Sequence, residues 1–481
     1  MSFNSLSFVV FLPVVILLYY ALPSRFQWII LLAASYVFYA WWNIPYTLLL
    51  FGVTVASYTA GLMLGRQTDG RKRGAILVLG TAAVLSGLLF FKYADFAIAT
   101  LNDALSLFGS SARFPLPGWL LPVGISFYVF QSLSYVFDVY RGKRAPEKHL
   151  GIYALYVSFF PQLVAGPIER STRLLPQFRL THKIDYTDMA GGMRLIMWGF
   201  FKKVVIADRL AVIVDAVYGH PAQHPGLPLT VATYCFALQI LCDFSAYTDI
   251  ARGTARILGI HLMENFDAPY FASSIRTFWR RWHISLTSWF RDYVYIPLGG
   301  NRTNRRRWIG AVIGVFLLSG LWHGAAWTFV VWGALHAIYY IMGRATANIR
   351  NALTRLVRLD RFPALSYTIG AVLTFHLVTF AWIFFRAESV GSAWYVVANL
   401  SFTRGSLAPA IDALGVDQAL VALAGLTAYL TVEAVRRRHS VTAILGRTPA
   451  PFRWAVYYAL ALVLLFLAYA SERPEFIYFQ F

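Results

Sequence analysis

Residues 308–342 read WIGAVIGVFLLSGLWHGAAWTFVVWGALHAIYYIM, a stretch without a single Asp, Glu, Lys or Arg. Such a stretch predicts membrane-embedded helices, because a helix needs roughly 20 residues to cross the hydrocarbon core. His323 lies in the middle of it. An ionisable side chain is costly at membrane depth, so we interpret His323 as functional, and a buried neutral imidazole can still accept a proton. The alternative is a structural histidine that hydrogen-bonds to a neighbouring helix.

Glycines flank this histidine in the sequence GLWHG, residues 320–324. Glycine has no Cβ, so Gly320 and Gly324 permit a close approach of backbone or substrate, and we expect both to interrupt a regular helix. This arrangement is one way to build an acid–base group inside a membrane.

The rest of the chain is apolar as well. Of its 481 residues, 58% are hydrophobic and 13% charged, whereas soluble proteins average roughly 25% charged residues. We predict an all-α polytopic membrane protein with about eleven spans, the shorter apolar segments being re-entrant or tilted. The segments expected in the membrane lie near 7–21, 28–43, 46–64, 75–91, 121–138, 150–165, 191–215, 228–257, 308–321, 325–342, 365–385, 417–435 and 453–470.

The net charge of +20 does not indicate a nucleic-acid partner, because the basic residues lie in short loops between apolar runs. The positive-inside rule assigns such loops to the cytoplasm, and counting spans from them puts both termini outside. The basic clusters are Arg66 to Arg73, Arg141 to Arg144, Arg302 to Arg307, Arg344 to Arg361 and Arg436 to Arg438.

Residues 273–295 are polar and aromatic at once. Phe278, Trp282, Leu286 and Trp289 recur about every fourth residue, which predicts one amphipathic helix at the cytoplasmic headgroup level. Its arginines either contact anionic lipid or receive an acidic donor, such as the phosphates of a coenzyme or an acyl carrier protein.

Five motifs stand out: LPVGISFY at 121–128, FPQLVAGP at 160–167, DFSAYTD at 243–249, FWRRWHIS at 278–285 and GLWHG at 320–324. With these motifs the chain resembles the membrane-bound O-acyltransferase (MBOAT) family, in particular its bacterial branch that acts in alginate O-acetylation. The resemblance extends from Ser35 to about Arg386 and is weakest in the C-terminal segment.

The resemblance implies packed transmembrane helices around a funnel that opens on the extracytoplasmic side. It also implies that His323 is the catalytic histidine and that His283 is the second family histidine. Acyl transfer to an alcohol needs a base near the hydroxyl, donors for the developing oxyanion, and exclusion of water. We expect His323 to act as general base and His283 to orient the donor carbonyl or stabilise the oxyanion. A structural role at the membrane interface stays open for His283.

Asp243 and Asp249 lie in an apolar helix, where a carboxylate is rarely without function, although both can instead pair with Arg252, Arg256 or a histidine. The candidates for the funnel or donor site are Gln131, Gln162, Asp243, Ser245, Asp249, Asn265, Arg280, Arg281, Ser285 and Trp322.

Some polar residues have plain structural alternatives. Gln131 and Gln162 either line the funnel or only bridge helices by hydrogen bonds. We interpret His336 and His376 as structural, and His336 as too far along a helix from His323 to share its site. No zinc-site spacing, phosphate-binding loop or dinucleotide motif occurs, so we expect no metal and no tightly bound cofactor.

The C-terminal segment 471–481, SERPEFIYFQF, is aromatic. Apolar side chains gain nothing in water unless they find a surface, so we expect this tail to dock. We predict one transmembrane domain over residues 1–470, followed by this extracytoplasmic tail. The tail is similar to the aromatic C-terminal motif of a small membrane partner in teichoic-acid D-alanylation. This similarity makes Tyr478 a candidate acyl relay, and an aromatic anchor is the alternative.

The leading hypothesis is an O-acetyltransferase of the bacterial inner membrane that uses acetyl-CoA or an acyl carrier protein as donor. The acceptor is a cell-surface polysaccharide, with an alginate-like exopolysaccharide first and peptidoglycan second. Teichoic-acid D-alanylation is an alternative within the same fold, and a secondary transporter or flippase is the alternative from another class. Because no soluble catalytic domain is present, we expect periplasmic or membrane-anchored acetyltransferase partners.

Overall fold

The computed structural model describes residues 1–436, 448–469 and 476–477. Within these residues the chain is helical and contains no strand, only an isolated bridge between Gly226 and Leu400. The all-α prediction is confirmed. The α-helices are α1 (Leu6–Ala21), α2 (Gln27–Ala40), α3 (Ile44–Arg66), α4 (Gly70–Leu88), α5 (Ala94–Leu107), α6 (Ile125–Tyr140), α7 (Leu150–Ser158), α8 (Ser171–Gln177), α9 (Tyr186–Phe200), α10 (Asp208–Gly219), α11 (Leu227–Ile257), α12 (Ile275–Arg281), α13 (Ile284–Phe290), α14 (Arg305–His323), α15 (Trp327–Ala345), α16 (Ala347–Leu356), α17 (Pro363–Arg386), α18 (Val390–Ala398), α19 (Ala408–Leu414), α20 (Val416–Arg436) and α21 (Ala450–Tyr469).

Three π-helical segments extend or join these helices: Leu89–Tyr93 between α4 and α5, Phe201–Ala207 between α9 and α10, and Arg291–Tyr295 after α13. A π-helical segment widens the helix locally and is frequent at functional sites. The segment Phe201–Ala207 carries two buried lysines, Lys202 and Lys203.

Six helical stretches among the described residues are long and apolar enough to cross a membrane. Other predicted spans are shorter than expected. Within the predicted segment 150–165, for example, α7 ends at Ser158, shortly before Pro161, and proline cannot continue a helix. The count of about eleven spans stays a prediction. The six stretches are Ile44–Arg66, Gly70–Leu107, Leu227–Ile257, Pro363–Arg386, Val416–Arg436 and Ala450–Leu467.

The chain forms two compact units. The first comprises Met1–Ile196 and Ile250–Met263, and the second Met197–Asp249 and Glu264–Phe481. The single transmembrane domain expected for residues 1–470 stays a prediction. Small residues bring helices together in the first unit, where Gly80 of α4 lies against Ala60 of α3. The core of the second unit is rich in Trp and Phe side chains.

Residues 273–295 do not form one amphipathic helix, so that prediction was wrong. They form α12 and α13, two short helices that are separated at Trp282 and His283. The separation arises because His283 has a φ of 42°, in the left-handed region, where an α-helix cannot continue. Phe278, Leu286 and Trp289 are buried in the protein. Their spacing therefore reflects packing inside the protein and not a helix lying on the membrane surface.

Helices α14 and α15 form a hairpin whose turn is Gly324 to Ala326. The expected interruption occurs at Gly324, where α14 ends, but α14 continues through Gly320. A Cβ at Gly320 would collide with the carbonyl oxygen of Phe329, and one at Gly333 with the carbonyl oxygen of Phe316. Gly320 thus serves close helix packing, as small residues do between membrane helices.

Candidate active site

His323 is the last residue of α14 and is only 4% exposed. The next residue, Gly324, adopts an extended conformation that turns the chain away from the helix axis. Three aromatic rings surround the imidazole. The ring centroids of Trp322, Trp332 and Phe385 lie 4.9, 5.1 and 5.3 Å from that of His323. The imidazole is therefore held in an apolar setting with little access to water.

His283 is held in the break between α12 and α13 by a separate segment of chain. The Asp267 N–H donates to the Arg281 carbonyl oxygen at 3.0 Å, and the Ile284 N–H donates to the Asn265 carbonyl oxygen at 3.0 Å. These two hydrogen bonds bracket His283. A left-handed backbone costs a residue other than glycine roughly 1–2 kcal/mol, so the bracketing bonds must stabilise it, and such residues concentrate at functional sites.

The fold brings the two histidines together. Their ring centroids lie 6.4 Å apart, and His283 is completely buried. Trp322 contacts both rings, at 5.8 Å from His283 and 4.9 Å from His323. Phe244 of α11 covers another side of His283 at 4.7 Å. Two imidazoles in one water-poor aromatic enclosure can move a proton and polarise a carbonyl group.

A cavity of about 340 Å³ is lined by residues that neighbour the two histidines in the chain, but not by the histidines themselves. Its walls include Ile284, which directly follows His283, and Ser319, which lies one helical turn before His323. Guanidinium groups are the usual protein ligands of phosphate. Three arginines line the cavity: Arg276, Arg280 and Arg291.

Further candidates support this arrangement in different ways. The side-chain oxygen of Asn265 accepts a hydrogen bond from the Ser285 N–H at 3.1 Å, and both residues are fully buried, so they position the start of α13. Arg280 lines the arginine cavity, but its neighbour Arg281 does not. Arg280 is thus placed to contact a ligand in this cavity.

The aspartates of α11 are engaged in buried ion pairs. Asp243 Oδ1 lies 2.7 Å from Lys203 Nζ, and Asp249 Oδ2 lies 2.9 Å from Lys202 Nζ. Lys202 also donates to the hydroxyl oxygen of Ser245 at 2.8 Å. Removing one member of such a pair leaves an uncompensated buried charge. These candidates therefore hold α11 against the π-helical segment Phe201–Ala207 in the second unit.

Neither lysine was predicted as a partner of Asp243 or Asp249. The predicted partners were Arg252, Arg256 or a histidine, but Arg256 pairs with Asp188 at 3.0 Å. A usable signal existed, since Lys202 and Lys203 are adjacent cations within an apolar run. The described residues contain no cluster of three His, Cys, Asp or Glu side chains that could hold a metal ion.

The C-terminal tail reaches α11. The Ile477 N–H donates to Asp243 Oδ2 at 2.6 Å, and the Phe476 ring lies 5.0 Å from that of Tyr247. Phe476 and Ile477 are both buried, so the expected docking is seen for these two residues. Tyr478, the candidate acyl relay, lies outside the described residues.

Gln131 and Gln162 belong to the first unit, where both side-chain amides donate to the carbonyl oxygen of Tyr156. Gln131 lies on α6, and Tyr156 lies on α7. Gln131 therefore bridges α6 and α7, whereas Gln162 bonds back to the end of α7 that precedes it.

His336 lies closer to His323 than a single long helix would allow. The hairpin folds the chain back, and the ring of Trp332 contacts both imidazoles, at 5.1 Å from His323 and 4.9 Å from His336. Trp332 nevertheless lies between the two imidazoles, so the interpretation of His336 as a structural residue that does not share the site of His323 stays a prediction. Neither ring nitrogen of His336 has a hydrogen-bond partner among the described residues. His376 is exposed on α17.

Comparison with known proteins identifies the family of this chain. Residues 132–387, more than half of the chain, match the model of the MBOAT, membrane-bound O-acyltransferase family. The chain belongs to this family. The two histidines, the arginine cavity and α11 lie within the matched part of this membrane-bound O-acyltransferase.

Three relatives indicate the range of acceptors. The chain is 42% identical to a probable alginate O-acetylase of Azotobacter vinelandii over 405 residues, covering 83% of this chain and 78% of the relative. It is 35% identical to a peptidoglycan O-acetyltransferase of Helicobacter pylori over 432 residues, covering 83% and 79%. It is 28% identical to a teichoic acid D-alanyltransferase of Bacillus subtilis over 278 residues, covering 55% and 69%. The protein is a multi-pass membrane O-acyltransferase, and the transporter or flippase hypothesis is set aside.

Proposed function

We propose that this membrane O-acyltransferase passes acetyl groups from a cytoplasmic donor across the bacterial inner membrane for O-acetylation of a cell-surface polysaccharide. The observation that carries the proposal is the buried pair of His283 and His323, whose ring centroids lie 6.4 Å apart. At this separation one oxygen atom can hydrogen-bond to both imidazoles. An acyl-transfer site needs such a place, where a hydroxyl group meets an activated carbonyl group.

The two histidines take different roles. His323 accepts the proton of the acceptor hydroxyl while the hydroxyl oxygen attacks the carbonyl carbon of the donor thioester. His283 stabilises the oxyanion that develops on the carbonyl oxygen. Collapse of the tetrahedral intermediate breaks the carbon–sulfur bond, and His323 returns its proton to the leaving thiolate. The Trp and Phe side chains around the pair exclude the water that would hydrolyse the donor.

The donor enters through the arginine cavity. Acetyl-CoA fits because its phosphates match Arg276, Arg280 and Arg291, while the thioester extends toward Ile284 and Ser319. An acyl carrier protein is the alternative donor, since its phosphopantetheine and acidic surface would meet the same arginines. Either donor is a substrate and not a resident cofactor. The cavity lies on the cytoplasmic side in this proposal, and both chain termini lie outside.

The acceptor is first an alginate-like exopolysaccharide, supported by the 42% identity to the Azotobacter vinelandii protein. Peptidoglycan is the second candidate, supported by the Helicobacter pylori relative. D-alanine transfer to teichoic acid has weaker support, because that relative matches only 55% of the chain.

A periplasmic or membrane-anchored acetyltransferase partner completes the transfer, with Tyr478 as the acyl relay. In this relay the first acceptor hydroxyl is that of Tyr478, which becomes a tyrosyl ester as the thiol leaves. A polysaccharide hydroxyl then takes the acetyl group at the partner, and its proton returns to the Tyr478 phenol. An aromatic anchor is the competing role of Tyr478.

The test separates the base from other histidines. The rate of polysaccharide acetylation in cells that carry His323→Ala should fall by about 10²–10⁴-fold, the usual contribution of a general base. His376→Ala removes an exposed histidine of the same chain and should retain activity. Equal activity of the two variants, at equal membrane levels, would remove His323 from the mechanism.

A second arm tests the donor site. The full chain in detergent is incubated with labelled acetyl-CoA, and label on its tail is followed by mass spectrometry in wild type and Tyr478→Phe. Arg280→Ala should raise the KM for acetyl-CoA about 10- to 150-fold, because one charge-assisted phosphate contact contributes about 1.5–3 kcal/mol. Arg281→Ala is the matched control. Equal KM values for these two variants would show that the donor does not bind in the cavity lined by Arg280.

A further inference from the structure

Two cavities lie on the surface of the first unit, away from His283 and His323 in sequence. One is a basic cavity of about 600 Å³, and the other is an apolar groove of about 440 Å³. Consecutive residues link them, because His149 lines the basic cavity and Leu150 lines the groove. The basic cavity is lined by Arg144, Glu147, Lys148, His149 and Arg179, among others. The groove is lined by Ile29, Leu32, Ala33, Phe51, Leu150 and Ala154, among others.

The basic cavity carries surplus positive charge. Its single carboxylate, Glu147, is buried and pairs with Arg144, at 3.5 Å between Nη2 and Oε2, and with Arg179. Lys148 is exposed, and its ammonium group has no ion-pair or hydrogen-bond partner among the described residues. Three cations against one carboxylate leave two positive charges, so the cavity favours an anion.

The groove has the opposite character, since no charged side chain lines it. Ile29, Leu32, Ala33 and Tyr36 form one stripe of α2 with helical spacing. This stripe is about 10 Å long, at about 1.5 Å per residue. Leu150 of α7 also lines the groove. A concave apolar strip of this kind suits a hydrocarbon chain.

The basic cavity lies at an end of the first unit that is rich in cations. The Arg73 guanidinium donates to the carbonyl oxygens of Leu64 at 2.6 Å and of Tyr140 at 2.7 Å, which joins two basic loops. Pro146, in the second loop, packs closely on Gly65. Clustered cations at one end of membrane helices mark the cytoplasmic side. The cytoplasmic leaflet is also the one that carries a negative surface potential.

We propose that these cavities together bind one anionic phospholipid of the cytoplasmic leaflet. Its phosphate is held by Lys148 and the two arginines, and one of its acyl chains lies along the α2 stripe. Basic cavities between membrane helices on this side are known to hold anionic headgroups. A zwitterionic lipid would fill the groove but leave the surplus charge uncompensated. An acidic protein would match the charge but leave the groove empty.

The test uses the full chain in detergent and native mass spectrometry with phosphatidylglycerol and phosphatidylcholine of identical acyl chains. Phosphatidylglycerol should bind at least fivefold more tightly. Lys148→Gln should lower its affinity about fivefold, because one cation near an anionic lipid surface contributes about 1 kcal/mol. Lys72→Gln, the matched control, removes a cation at the same end but outside the cavity and should bind within twofold of wild type.

The groove is tested independently. Ala33→Trp fills it and should lower phosphatidylglycerol binding at least fivefold. Ala82→Trp makes the same change at an exposed alanine of α4 and should leave binding unchanged. Elution volume and thermal midpoint establish that the four variants are folded. Equal binding of the two lipids, or equal affinities within either matched pair, overturns the proposal.

Discussion

The two histidines of the candidate active site are positioned by backbones of opposite character. His323 ends a helix of 19 residues, and its neighbour Gly324 terminates that helix locally. His283 separates two helices of seven residues each and depends on backbone hydrogen bonds of its neighbours, in which Asn265 accepts from Ile284 and Asp267 donates to Arg281. His323 is positioned by residues next to it in the chain, whereas His283 is positioned only when a separate segment of the chain packs against it. A pattern of adjacent residues can therefore reveal the first arrangement but not the second.

The largest expected effect tests whether the side chain of His283 takes part in the reaction or only its backbone matters for the fold. His283→Ala should lower the rate of acetyl transfer by about 10²–10³-fold, the usual effect of removing one oxyanion donor. The measurement is the initial rate per folded protein, with labelled acetyl-CoA as donor.

His336→Ala is the control for this loss. It removes an equally buried imidazole from the same group of aromatic rings. We expect lower stability for this variant but an acetyl-transfer rate within tenfold of wild type. If both variants lose activity to the same degree, His283 has no direct part in the reaction.

A smaller effect is expected on stability when the close packing of α14 and α15 is disturbed. Gly320→Leu places a side chain against the carbonyl oxygen of Phe329, and overpacking of this kind costs about 1–3 kcal/mol. The thermal midpoint of the purified protein should fall accordingly. Gly314→Leu is the matched control on the same helix, because nothing lies within 4 Å of a Cβ added there. Equal midpoints for the two leucine variants would contradict the observed helix contact.

The smallest expected effect is on stability, and it compares the backbone conformations at His283 and His323 directly. At His283, glycine should be more stabilising than alanine by about 1 kcal/mol, because only glycine adopts a left-handed φ without cost. At His323, which is helical, alanine should be better by about 0.5–1 kcal/mol. Unfolding midpoints of the four variants measure both differences. The same sign at both positions would refute the contrast.

Much of the molecule was predictable because its signals are local. The apolar runs predicted the helices, the glycines predicted the interruption at Gly324, and the family resemblance implied that His283 and His323 act in one reaction. The break at His283 was not predictable, since Phe278, Trp282 and Leu286 have ideal helical spacing. That spacing describes which side chains are buried and carries no information on the backbone between them.

The partners of the α11 aspartates were missed for a related reason. Arg252 and Arg256 lie near Asp249 on the same helix, and sequence reasoning favours such neighbours. Lys202 is 47 residues from Asp249, and Lys203 is 40 residues from Asp243. Only the packing of α11 on the π-helical segment brings them together. Pairings of this kind depend on tertiary structure.

The hydrogen bond between Asp243 and Ile477 joins residues that are 234 positions apart. At about 5–20 residues per second, a ribosome needs roughly 10–50 s to make the intervening chain. Lys203 emerges before Asp243 and can neutralise it during this delay. The packing of Phe476 on Tyr247 must wait until the ribosome has passed residue 476. Assembly of the membrane helices therefore cannot be complete when the ribosome has only just finished α11.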